Sequence, residues 1–298
     1  MEANGLTFEV DMCGDGDRLA LCLHGFPELA CSWRHQLPLL ARLGYRAWAP
    51  NMRGYGRTSR PPAVADYTLP HLVEDVAGLI DAAGARSVLL VGHDWGGAVA
   101  WHASLQTVRR IDRLVVMNFP HPALFADGLR GWRQALRSWY IAAFQMPWIP
   151  ERVLGARRAW LVGELIADTA VDRSRFPAPV LAAYRAAAAR PGAIRAMVNY
   201  YRALRLTRPT PNDLDRLRRP LEIPTLLLWG EEDVALGKEL TVGTDALVPH
   251  LVLRYLPGVS HWVQQEAPES VNALLEAWLL NRPVPVVGPN GRLATGLL

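Results

Sequence analysis

An aspartate framed by glycines, Gly92-His93-Asp94-Trp95-Gly96-Gly97, carries the first chemical signal in the chain. The layout is that of the G-x-S-x-G turn between a strand and a helix, with Asp in the place of Ser. Such a turn is tight and strained, so it needs small residues two positions either side of the nucleophile. Gly92, Gly96 and Gly97 provide them. A serine alkoxide in this position serves acyl transfer. A carboxylate serves attack on an sp3 carbon bearing a leaving group, giving an alkyl ester of the protein that water must then cleave. An isolated Asp after a strand reads as a cap for the helix starting at Trp95. The flanking glycines, and the partners that follow, favour a nucleophile.

Ester cleavage calls for a base and for an acid that orients the base. In a fold with this elbow the chain order is nucleophile, acid, histidine. Residues 225–229 read as a strand running into Gly230-Glu231-Glu232-Asp233, and Asp233 is the expected acid, with Glu231 and Glu232 as solvated loop charges. His261, in Gly258-Val259-Ser260-His261-Trp262, follows the next strand and is the one histidine placed for the base. His93 reads as a packed structural residue; His35, His71, His102, His121 and His250 read as surface or packing residues. The loop His24-Gly25-Phe26-Pro27-Glu28 follows an early strand. Its Phe26 N–H, beside that of Trp95, is expected to form an oxyanion hole.

The elements that must position these groups alternate. Segments 6–12, 18–23, 45–50, 87–91 and 113–118 read as strands, with helices over 69–83 and 98–105, which implies βαβ units and a parallel sheet. From about 127 to 219 the periodicity is helical throughout; strands return at 224–229 and 250–256, followed by a helix over 270–280. The expected organisation is a core over 1–126 and 220–281, a helical lid over 127–219, and a loose Pro/Gly-rich tail over 282–298. Within the lid, Leu129, Trp132, Leu136, Tyr140 and Ala143 form one apolar stripe, and Ile194, Met197, Val198 and Tyr201 another. On spacing alone, Tyr140 and Tyr201 are also readable as core tyrosines with satisfied hydroxyls.

Composition bounds the rest. With 298 residues, half of them hydrophobic and 20% charged, the chain reads as a soluble globular protein. No leader peptide and no uncharged run near the roughly 18 residues of a membrane span is apparent, so no stable membrane insertion is expected. Cys13, Cys22 and Cys31 lack metal-ligand spacing and read as free thiols of a cytoplasmic enzyme, monomeric or homodimeric. The net charge of +4 is uneven: residues 130–219 hold 17 arginines and 6 acids, a net of +11. No nucleic-acid-binding motif accompanies the excess, so no nucleic-acid partner is expected. The basic lid reads mainly as a solvated surface, with steering of anions or membranes as the lesser reading.

In this order, residues 24–28, 92–97, 229–233 and 260–262 (His-Gly-Phe-Pro-Glu, Gly-His-Asp-Trp-Gly-Gly, Trp-Gly-Glu-Glu-Asp and Ser-His-Trp) resemble the epoxide hydrolases of the α/β-hydrolase fold. The resemblance covers about residues 6–280. It implies a mostly parallel eight-stranded sheet flanked by helices, with an inserted all-helical lid. It also implies two lid tyrosines donating to the epoxide oxygen. Tyr201 in Asn199-Tyr200-Tyr201-Arg202 matches one, and Tyr140, five residues before Gln145 in Phe144-Gln145-Met146-Pro147, matches the other. An apolar epoxide and water would be the substrates and a vicinal diol the product, with no metal and no organic cofactor. Phe26, Pro27, Trp95, Met146, Trp148 and Trp262 are the expected substrate lining. A haloalkane or haloacid dehalogenase would share the Asp nucleophile. Haloalkane dehalogenases typically carry Asn where Phe26 stands, and haloacetate dehalogenases carry Arg where Trp95 stands. A catalytically silent ligand-binding relative is the third reading; such proteins usually lose a triad or lid residue, and none is missing here.

Overall fold

Alternation of side chains along consecutive strands decides the layering. The computed structural model describes residues 1–207 and 210–293. A short antiparallel ladder of β1 (Glu2–Ala3) and β2 (Leu6–Thr7) precedes the main sheet. That sheet contains β3 (Val10–Cys13), β4 (Arg18–Leu23), β5 (Tyr45–Pro50), β6 (Val88–His93), β7 (Arg113–Met117), β8 (Thr225–Gly230) and β9 (Leu251–Leu256). Their spatial order is β3-β5-β4-β6-β7-β8-β9, with only β3 antiparallel to its neighbour. The sheet thus has seven strands among the described residues, not the expected eight. The expected strand over 6–12 is split: its first residues fold back on the N-terminus, and only the stretch from Val10 pairs with β5.

Leu19, Leu21 and Leu23 of β4 face one apolar cluster, while Ala20 and Cys22 face another. The same two-residue period sends Leu114 and Val116 of β7 to the first cluster and Val115 and Met117 to the second. Both faces are therefore covered, as the near-continuous apolar runs of a parallel sheet require. Helices α1 (Gln36–Arg42), α2 (Leu69–Ala83) and α3 (Trp95–Leu105) supply part of that cover: α1 belongs to the second cluster, α2 and α3 to the first.

Between β7 and β8 the described residues are mostly helical: α4 (Pro122–Gly128), α5 (Trp132–Arg137), α6 (Trp139–Ala143), α7 (Ile149–Thr169, kinked at 156–159), α8 (Ala178–Ala188), α9 (Ala193–Ala203) and α10 (Pro211–Leu217). The apolar sides of α7, α8 and α9 join the first cluster, so the lid and the core share one hydrophobic interior. After β8 come α11 (Thr244–Leu247), α12 (Val263–Glu266) and α13 (Pro268–Leu279), the last packing with α1 on the second face. The tail is tied down as far as it is described. Arg254 donates to the carbonyls of Val284 (2.8 Å) and Pro285 (3.0 Å), and Val287 bridges Leu293.

The stripe expected over 129–143 does not form a buried face. Trp132 and Leu136 are exposed, and the residues turned inward are Gln134 and Ser138. Gln134 donates to Ser138 Oγ and Ala235 O (both 2.9 Å) and accepts from Gly237 N–H (3.2 Å), a polar fastening that periodicity in apolar residues does not register. The helix is interrupted at Gly131 and again at Ser138, so α4, α5 and α6 are separate.

The carboxyl ends of β4, β6, β7, β8 and β9 all open on one side of the sheet. At the end of β6 the chain passes straight into α3, and Gly96 is pressed against the end of β4. A Cβ there would lie 2.1 Å from Leu23 O and 2.7 Å from His24 O, rigid backbone atoms in both cases. Gly96→Ala is expected to cost about 3 kcal/mol or more through overpacking, read as a fall in the urea midpoint or as loss of soluble protein. A midpoint within error of wild type would contradict this close approach.

Candidate active site

Asp94 stands at the N-cap of α3 with φ +50°, a backbone conformation that a non-glycine residue adopts only where its surroundings impose it. Its carboxylate is almost fully buried. Phe26 N–H donates to Oδ1 at 2.8 Å. The loop after β4 comes this close because Gly25 has no side chain: a Cβ there would meet the Asp94 Cβ at 2.5 Å and Oδ1 at 2.7 Å. The other oxygen, Oδ2, faces His261 Nε2 at 3.7 Å, beyond hydrogen-bonding distance. Burial raises the Asp94 pKa above the ordinary carboxylate value, against the opposing pull of His261, His93 and the N–H groups of Phe26 and Trp95.

His261, on the loop after β9, presents Nδ1 to Asp233 Oδ2 at 2.6 Å. Asp233 is fully enclosed in hydrogen bonds. Asn118 Nδ2 donates to Oδ2 at 2.6 Å, and the N–H groups of Ala235 and Leu236 donate to Oδ1 at 2.7 and 2.9 Å. Burial presses the Asp233 pKa upward, but the charge and hydrogen bond of His261 and these donors hold it below the ordinary value. For His261 burial acts downward and is outweighed by Asp233, then Asp94 and Glu28, which hold the imidazole at about 9.

Sequence patterns do not single out two parts of this arrangement. Asn118, the residue following β7, both donates to Asp233 and accepts Gly230 N–H (2.9 Å), so it fixes the acid to the end of β8. Glu28 is buried completely and accepts from His93 Nδ1 (2.7 Å), Gln264 Nε2 (2.9 Å), Gln265 Nε2 (2.7 Å) and Gly25 N–H (3.1 Å). Burial would raise its pKa, but His93 and the Gly25 N–H hold it lower than usual. His93 continues the chain from Nε2 to His261 O at 2.8 Å, which agrees with its reading as a packed structural residue. The signal for Glu28 was its carboxylate in a loop otherwise bound for the interior; for Asn118 it was a polar residue at a strand's carboxyl end.

From the lid, Tyr201 is buried on α9, with its ring 5.2 Å from that of Phe26, 5.3 Å from Trp95 and 5.8 Å from Tyr140. Burial, followed by neighbouring groups that include Asp94, raises both tyrosine pKa values well above normal. Tyr200 points elsewhere and donates to Arg53 O at 2.8 Å. Pro27 is buried beside Phe26, and Trp95 is half-buried. Trp262 stacks edge-on against His261 (4.9 Å) and donates to Thr169 Oγ1 on α7 (2.9 Å). Met146 and Trp148 are not brought to this group. They are 41% and 75% exposed, and Trp148 borders a depression on the outer lid surface. The linker between α6 and α7 turns outward there, which apolar composition alone could not reveal.

Residues 21–268 match the alpha/beta hydrolase fold family. Epoxide hydrolase 4 of Homo sapiens is 35% identical over 283 residues, covering 93% of this chain and 76% of that protein. The chain belongs to the epoxide hydrolases of the α/β-hydrolase fold. AB hydrolase superfamily protein YfhM of Bacillus subtilis (strain 168) is 34% identical over 285 residues, covering 95% of this chain and 97% of that one. Among solved structures, the Bacillus megaterium epoxide hydrolase in complex with an inhibitor superposes with a TM-score of 0.86 at 29% identity, covering 94% and 99% of the two chains. Family membership accounts for the enzyme class, a hydrolase acting on ether bonds. No described helix is long and apolar enough to cross a membrane.

The charge arrangement makes a pH prediction. The unfolded-state pKa of His261 is near 6.5 and its folded value is about 9. Its contribution to stability is therefore complete below pH ~6.5 and lost as the pH rises through about 9. Asp94→Asn removes one of the charges that hold the proton, so the His261 pKa should fall; NMR titration of the imidazole reads it directly. An unshifted value in this variant would mean that Asp94 exerts no pull on the imidazole.

Proposed function

We propose that this protein converts apolar epoxides and water to vicinal diols through a covalent ester on Asp94. The observation that carries the reading is the unequal treatment of the two Asp94 oxygens: Oδ1 is held by Phe26 N–H, while Oδ2 is left open toward His261. The helical segment 127–219 serves as a lid over the core formed by 1–126 and 220–281.

Tyr140 and Tyr201 hydrogen-bond the epoxide oxygen; their raised pKa values keep them protonated donors until the ring opens. Oδ2 attacks a ring carbon, the carbon–oxygen bond breaks, and the alkoxide takes a tyrosine proton. Esterification removes the negative charge of Asp94, and with it part of the field that holds the proton on His261. The imidazolium then returns a proton to the tyrosinate and becomes a free base. Water gives a proton to His261, held in orientation by Asp233, and attacks Cγ of the ester. The oxyanion forms on Oδ1, where the N–H groups of Phe26 and Trp95 stabilise it. Collapse releases Oδ2 with the diol, which takes the proton of the newly added hydroxyl. Asp94 and the imidazolium are restored. Phe26, Pro27, Trp95 and Trp262 line the substrate.

A halide leaving group would need side-chain N–H donors, and Phe26 offers none. His261→Gln is expected to complete alkylation but not hydrolysis, so the intact protein should gain the mass of one epoxide. Tyr140→Phe and Tyr201→Phe should each slow adduct formation by roughly 10²-fold. Diol turnover by His261→Gln without adduct would contradict the ester route.

A further inference from the structure

Every tryptophan of the lid faces solvent, whereas those of the core are buried or, at Trp95, half-buried. Trp132, Trp139, Trp148 and Trp160 are 42–75% exposed, whereas Trp33, Trp101 and Trp229 are fully buried. Together the four present on the order of 500 Å² of indole, which matches the whole largest apolar patch of an ordinary monomer. Trp132 and Leu136 share one face of α5, Trp139 opens α6 beyond the break at Ser138, and Ile149 and Val153 are exposed beside Trp148 in the first turns of α7. No packing need explains these residues, because the polar Gln134 and Ser138 fill the inward positions of the same segment.

Arginines are interleaved with the indoles. The Arg133 guanidinium lies 5.4 Å from the Trp132 ring. Beside Trp148 a depression of about 530 Å³ is walled by Arg152, Arg195, Arg202 and Arg205. Arg202 is held there on Glu151 at 2.5 Å. Among the described residues, Arg133, Arg152, Arg195 and Arg205 have no carboxylate within 4.0 Å, whereas Arg173 is paired with Glu164 and Arg218 with Asp127. We propose that this face of the lid docks the enzyme reversibly on anionic lipid bilayers, with the indoles at the interface and the free arginines on headgroup phosphates.

Charge selects this occupant. A symmetric contact between two copies would oppose the same arginines across its axis, a like-charge juxtaposition that costs several kcal/mol. An anionic leaflet instead attracts each arginine, and tryptophan is the side chain that settles best at the boundary between headgroups and acyl chains. The combination of an apolar stripe with a basic border is that of a surface-lying element rather than a spanning one. Docking here would bring the lid against the phase in which apolar epoxides dissolve, a consequence that rests on the proposed reaction; docking itself does not.

The test is flotation of the purified protein with vesicles of phosphatidylcholine alone and with roughly one-third phosphatidylglycerol, at low and high salt. The wild type should float with the anionic vesicles at low salt, be released by salt, and ignore the neutral ones. Arg133→Glu/Arg152→Glu should weaken binding by at least about tenfold, since each arginine contributes about fivefold. Trp132→Ser/Trp160→Ser should weaken it as well, and hydrolysis of a water-soluble epoxide reports whether each variant is folded. Failure of the wild type to float with anionic vesicles overturns the proposal, as does flotation of both variants like wild type. A dimer in light scattering that Trp132→Ser/Trp160→Ser converts to monomers would assign the face to a second copy instead.

Discussion

A carboxylate held in the interior is the constraint to which the surrounding structure answers. Asp94 loses nearly all contact with water, and an ion in that position is tolerated only with donors and counter-charge at hand. The Phe26 N–H and the start of α3 supply the donors, and His261 supplies the charge. Each of those groups needs its own support. His261 needs Asp233, Asp233 needs Asn118 and two backbone N–H groups, and the loop bearing Phe26 needs Glu28 with its ring of donors. The five loops concerned come from the ends of five adjacent strands, so the parallel sheet is what makes their convergence affordable.

The lid is joined to this assembly by polar contacts at several points. Trp262 reaches Thr169, Tyr184 donates to Gln265 at 2.9 Å, and Asp172 N–H donates to Glu266 at 2.6 Å. Tyr200 hydrogen-bonds the backbone of Arg53, which is itself paired with Asp75 in the interior. These ties, together with aromatic packing around Phe26 and Phe144, set the side of α9 that carries Tyr201 against the elbow. A side chain whose helix and ring are held by several independent contacts keeps its place, which the role proposed for Tyr201 requires.

Much of this was legible in the chain, and the reasons differ by residue. Glycines spaced about Asp94 record a steric demand that few other structures make, so the elbow stood out. Period-two alternation and buried apolar runs marked six strands of the sheet closely; the seventh, β3, was merged with β2 because both belong to one apolar-alternating stretch. Asp233 and His261, which the structure brings together, are legible from their places after strands. Glu28 and Asn118 escaped assignment because their partners lie far off in sequence, at 65 and 115 residues for His93 and Asp233. The stripe through Trp132 and Leu136 misled for a physical reason: helical periodicity shows that a face is apolar but not what it faces.

The most direct test of the covalent account uses a single turnover of wild-type enzyme with an aryl epoxide in oxygen-18 water, followed by digestion and mass measurement of the peptide containing Asp94. Water attack on the ester carbon leaves the label in that peptide and unlabelled oxygen in the first diol released. Label in the first diol with none in Asp94 would contradict the account, and would make Asp94 a base for direct hydration of the ring.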